Sequence, residues 1–169
     1  PWTIVEAADD RWRDLAVGRA LADALEARLA AVREAEERRA AEASATARTR
    51  KRSTKSPKPA KEAATSPGVL STIDLGRTVS DEEYRKDLPR LQERLSKLAW
   101  EGHRKGVSSV AVFEGSDAAG KGGAIRRVTW ALDARLYRVI PIAAPTDEER
   151  AHHYLWRFWR HVPPGGSFT

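Results

Sequence analysis

Apolar residues recur at helical spacing in two stretches of the chain. Leu21, Leu25, Leu29 and Val32 fall on one face of a helix running to about Ala43, with Asp9 and Asp10 as candidate N-caps. Residues 1–8, just ahead, read as the end of a strand. Leu88, Leu91, Leu95 and Leu98 make the second stripe. Its helix opens at Ser80-Asp81-Glu82-Glu83, which has the spacing of a capping box, and Gly102 and Gly106 punctuate its end. Pro89 marks a kink or a restart within it. Beyond Gly106 the period changes. Val107 to Phe113 is a short apolar run, as expected for a strand covered on both faces. A glycine-rich turn follows, then a helix from Gly122 to about Ala134 and a second strand from Tyr137 to Ile142. Thr146-Asp147-Glu148-Glu149 is another capping box, opening a helix through about His161. Pro163-Pro164-Gly165-Gly166 ends that helix, and Ser167-Phe168-Thr169 starts a third strand. The order β-α-β-α-β predicts an α/β fold with a parallel sheet and flanking helices.

Charge separates these two halves. Residues 44–68 hold seven basic residues (Arg48, Arg50, Lys51, Arg52, Lys55, Lys58, Lys61) against Glu62, and this is the whole +6 of the chain. With three prolines and no apolar residue larger than alanine, the segment cannot bury enough surface to offset its ordering entropy. It reads as a basic disordered linker, either a solubilising spacer or a grip for polyanions through counterion release. The 169 residues include no Cys and no Met. The first removes disulfides, thiolate metal sites and cysteine nucleophiles, and leaves the cytoplasm as the default compartment. The second, with an apolar opening and no signal peptide, is expected of a piece of a longer protein. No apolar run reaches the ~20 residues of a membrane span, so no membrane partner is expected.

Candidate chemistry gathers in Gly115-Ser116-Asp117-Ala118-Ala119-Gly120-Lys121-Gly122, directly after the apolar strand and opening a helix. That context marks a phosphate-binding loop. Glycines let backbone N–H groups wrap a phosphate, the helix N-terminus adds positive potential and Lys121 supplies a point charge. Two residues depart from the usual pattern. Gly122 stands where a Ser or Thr hydroxyl would hold Mg²⁺, and Asp117 puts a carboxylate inside a loop built for anions. A cation between Asp117 and the phosphate reconciles the two, with Asp117 taking over the metal; the alternative is that Asp117 only caps the next helix.

The runs VFEGSDAAGKGGAIRRVTWALD and PTDEERAHHYLWRFWRHVP closely resemble the first half of a polyphosphate kinase 2 module. PWTIVEAADDRWRDLAVGRALADAL resembles the closing strand and helix of such a module. The resemblance implies a P-loop kinase-like three-layer fold, incomplete here, and two modules in tandem. Residues 1–43 would end the first, 44–68 link them, and 69–169 begin the second. It also implies phosphoryl transfer from inorganic polyphosphate to a nucleotide, AMP or ADP, with Mg²⁺, in a full-length homo-oligomer. By resemblance Asp117 positions Mg²⁺, Lys121 contacts the phosphate chain, and the backbone of Gly115, Ser116, Ala118, Ala119, Gly120, Gly122 and Gly123 cradles it. Arg126 and Arg127 follow on the loop helix as phosphate candidates; Arg126 toward the polyanion with Arg127 toward solvent is one assignment, and the choice between them stays open. Arg157 and Arg160 share a helix face and are weaker phosphate candidates, since Tyr154, Trp156, Phe158 and Trp159 suggest a helix packed on the sheet. His152, His153 and His161 form no ligand set, and the Trp residues, showing no nucleic-acid pattern, are expected in the core. The family's second acidic motif, an Asp-Arg-Ser type of segment, and its lid have no counterpart in this sequence. The competing readings are a conventional NTP-hydrolysing P-loop enzyme, which Gly122 disfavours, and a non-enzymatic polyanion binder acting through residues 44–68.

Overall fold

A computed structural model describes residues 2–45 and 73–169; the basic segment expected as a linker lies almost wholly outside them. Five helices are formed among the described residues: α1 (Asp10–Ala45), α2 (Asp81–Arg104), α3 (Lys121–Thr129), α4 (Asp147–Arg150) and α5 (Trp156–Trp159). Residues 2–7, expected as a strand end, take no regular structure.

Helices α1 and α2 carry the core. Asp9 starts α1 by accepting the Trp12 N–H at 2.7 Å, which holds the carboxyl below its ordinary range. Ser80 starts α2 with both halves of the capping box in place. The helix runs unbroken through Pro89, so it does not restart there. Ala22, Leu25 and Leu29 bury against Leu95, Leu98 and Val107, with Leu21, Val32 and Phe168 packed at the edge. The two helices run parallel. Arg11 pairs with Asp81, Arg19 with Asp87, Arg94 with Asp23 and Glu26, Arg33 with Glu101, and Lys105 with Glu36. These exposed pairs fix register more than they add stability.

The expected sheet is not formed as strands among the described residues. What stands in its place is parallel bridging by single residues, Ser109 to Phe168 and Tyr137 to Phe168. Ser109 N–H donates to Ser167 O and Thr169 N–H to Ser109 O, both at 3.0 Å, while Phe168 N–H reaches Leu136 O at 2.8 Å. The last segment thus lies between the other two. Pairing stops there because the apolar runs are uncovered: Val110, Val112, Val139 and Ile142 are all exposed.

Two expected helices are shorter than their patterns. Helix α3 ends at Thr129, whose hydroxyl bonds back to Ile125 O at 3.0 Å, and the chain turns at Asp133. The helix expected from Thr146 to His161 is split into α4 and α5. The Thr146 capping box forms, but no α4 residue is buried, so no apolar stripe carries the helix onward. The tryptophans are not core residues either. Trp2, Trp130 and Trp159 are exposed and the other three are half-buried.

Candidate active site

The loop after residue 113 owes its shape to backbone geometry and to one lysine. Ala118 has φ of 62° and Gly120 of 75°. Ala118 is the one non-glycine with positive φ among the described residues, a conformation that costs alanine of order 1 kcal/mol. Lys121 folds back over the loop, donating to Gly115 O at 2.8 Å and Ser116 O at 2.7 Å. Gly120 caps α3 without any side-chain hydrogen bond. Helix α3 therefore presents its first N–H groups, from Lys121, Gly122 and Gly123, toward the loop with no intrahelical acceptor, which is an anion-receiving arrangement.

Asp117 lies exposed at the loop tip, its Oδ1 accepting the Ala118 N–H at 3.0 Å. That contact is within the loop, so Asp117 does not cap α3. One exposed carboxylate suits Mg²⁺, which keeps several waters and takes one or two carboxylates plus substrate phosphates. No group of three or more His or acidic side chains is placed to hold a metal among the described residues.

The remaining candidates separate. Gly115, Ser116, Ala118, Ala119, Gly120, Lys121, Gly122 and Gly123 are brought together in the loop and the first turn of α3. Arg126 is exposed on α3. Arg127 is also exposed, and from there it reaches toward α1 and α2: its Nε donates to the Tyr84 hydroxyl at 3.1 Å and lies 3.6 Å from Asp14. The Tyr84 hydroxyl in turn donates to Asp14 at 2.9 Å; burial above all lifts this phenol above its ordinary value. Arg157 is buried, donating to Ala143 O at 2.6 Å beside Glu149, and Arg160 lies over the Trp156 ring. Both belong to the 143–160 region and not to the loop. His152 stacks on Trp156 and His153 on Trp159.

One contact was not legible in the sequence. Arg13 on α1, 7 % exposed, bonds to Asp10 and Asp14 and lies against Gly120 and close to Gly123. Its only sequence signal is the acid-flanked spacing Asp10-x-x-Arg13-Asp14, which indicates local ion pairing but no partner more than a hundred residues away.

The family model "Polyphosphate kinase 2 (PPK2)" matches residues 78–169. Over its whole length the chain is 46 % identical to the polyphosphate:AMP phosphotransferase of Pseudomonas aeruginosa, of which it covers 31 %. It is 42 % identical to the enzyme of the same name in Pseudomonas syringae pv. tomato, again over its whole length and 31 % of the relative. A crystal structure from Pseudomonas aeruginosa PA01, assigned to polyphosphate kinase 2, superposes with a TM-score of 0.57 at 55 % identity, covering 63 % of this chain and 24 % of that one. The chain thus spans about a third of the length of these curated relatives.

Proposed function

Because the chain belongs to the polyphosphate kinase 2 family, we propose that its loop serves phosphoryl transfer from inorganic polyphosphate to AMP, giving ADP. The observation that carries this is the presence of exposed Asp117 and of Lys121 in one loop at the open N-terminus of α3. AMP is the acceptor in the names of both relatives above, which supports it here. The parallel bridging of residues 109, 137 and 168 supports a P-loop kinase-like sheet in the complete module. The order of segments supports two tandem modules, with 1–43 ending one and 69–169 beginning the next.

In-line transfer needs positioning and charge neutralisation and no covalent nucleophile. The N–H groups of α3 and the Lys121 ammonium hold the polyphosphate, Lys121 leaving the Gly115 and Ser116 carbonyls to do so. Asp117 holds Mg²⁺, which when bound neutralises charge on the phosphate oxygens. Arg126, exposed one turn further along α3, is free to meet the outgoing chain. A cytoplasmic setting suits a cysteine-free chain that uses nucleotides. The test is ADP formation by the full-length protein from polyphosphate, AMP and Mg²⁺. Turnover should vanish in EDTA; full activity in EDTA, or a stable phosphoenzyme on the pathway, overturns the reading.

A further inference from the structure

Helix α1 precedes the basic segment, yet it reaches the phosphate loop that follows it. Arg13 is the point of contact. Its guanidinium is held from two sides: Nη1 donates to Asp10, while Nε and Nη2 donate to Asp14 at 3.2 and 2.8 Å. Asp14, 5 % exposed, is itself fixed by the Tyr84 hydroxyl from α2 and lies beside Arg127 from α3. The guanidinium therefore cannot swing away freely.

What it presses on is the turn that makes the anion site. A Cβ on Gly120 would fall inside the guanidinium, and one on Gly123 would stand 3.0 Å from Nη2. Gly120 is the left-handed residue that turns the loop into α3, and Gly123 belongs to the first turn, whose N–H groups are open. A cation at a helix N-terminus is unfavourable by itself. Asp10 and Asp14 neutralise it locally, which leaves the guanidinium as a rigid plate and not as a competing ligand for the incoming anion.

We propose that Arg13 is a positioning residue: clamped by Asp10 and Asp14, it braces Gly120 and Gly123, so that the helix before the linker holds the phosphate loop in its anion-receiving shape. This rests on the polyphosphate reading above. It adds that the loop is completed from outside residues 69–169.

The test uses the full-length protein, with KM for polyphosphate, KM for AMP and kcat measured separately. Arg13→Met keeps the side-chain length and loses the fork. It should raise KM for polyphosphate about tenfold and leave KM for AMP within twofold, whereas a merely structural loss lowers the active fraction and moves neither KM. Arg13→Lys should not rescue, because an ammonium cannot span both carboxylates and reach the two glycines at once. Gly123→Ala should also raise KM for polyphosphate, and in an Arg13→Ala background should add nothing, since the obstructing group has gone. Additive effects, or an unchanged KM for polyphosphate in Arg13→Met, overturn the proposal. Should the Arg13 variants fail to fold, Asp10→Asn, which loosens one side of the clamp outside the phosphate loop, should raise KM for polyphosphate and leave KM for AMP within twofold; an unchanged KM for polyphosphate there overturns the proposal. Hydrogen exchange at the amides of residues 121–124, faster in Arg13→Met than in the wild type, gives a readout independent of turnover. If the wild type shows no polyphosphate-dependent turnover, the functional reading fails while the exchange rates still decide whether Arg13 braces the loop.

Discussion

Replacing Leu29 by Ala tests whether the helix before the basic segment folds as one unit with the residues after it. Leu29 is 1 % exposed and packs in the cluster with Leu25, Leu95 and Leu98. The substitution removes three carbons, worth about 2.4 kcal/mol at ~0.8 kcal/mol each. The cavity left between two long, rigid helices collapses only in part, which brings the expected loss to about 3 kcal/mol. With a urea m-value of about 2 kcal/mol/M, the midpoint should fall by roughly 1.5 M. The assay is urea unfolding of the 169-residue chain followed by far-UV circular dichroism. Val139→Ala, at an exposed site, is the control and should cost under about 0.5 kcal/mol. A loss below about 1 kcal/mol for Leu29→Ala would refute the docking of α1 on α2 and remove the basis for the Arg13 brace.

Asp117→Asn should cut turnover of the full-length protein by about 10²–10³-fold while polyphosphate binding survives or tightens, because a repulsive charge disappears; Lys121→Ala should weaken both. Equal, mild effects on turnover would show that Asp117 holds no metal. The Asp133 carboxyl, hydrogen-bonded by the Arg135 side chain and N–H, titrates at about 2 against 3.8 unfolded. Its contribution is therefore fully present above pH ~4 and lost as pH falls through about 2, and Arg135→Gln should move the NMR midpoint back toward the ordinary value. The 169-residue chain alone should form no ADP from polyphosphate, AMP and Mg²⁺, since its sequence offers no second acidic motif and the loop tip is exposed to water. Robust turnover would show that the site is complete within these residues.

Both capping boxes were legible in the sequence and form as written, because a cap depends only on residues three apart. The leucine stripes of α1 and α2 were legible for the same reason, and their burial follows from period alone. The strands were legible as segments but do not join beyond single bridges. A strand is completed by neighbours that the segment itself does not encode, and Val110 and Val139 remain uncovered. The aromatic helix failed differently: Tyr154, Trp156, Phe158 and Trp159 promised burial, yet the charged run Asp147–Arg150 gave α4 nothing to bury. Composition named the right residues there, and the missing packing partner decided their exposure.

The loop shows where a motif underdetermines its own chemistry. Read as a phosphate-binding pattern, Gly120 and Gly123 are small so that backbone can approach a phosphate. The structure adds a second demand on the same atoms, since Arg13 occupies the space a Cβ would need at Gly120 and stands 3.0 Å from one at Gly123. Ala118, which also has positive φ and is exposed, carries a methyl group there. A left-handed backbone therefore does not by itself require glycine in this loop. At Gly120 backbone strain adds to the guanidinium, and at Gly123, which has no positive φ, it does not. Gly123→Ala thus separates crowding by Arg13 from backbone strain, which Gly120→Ala would confound.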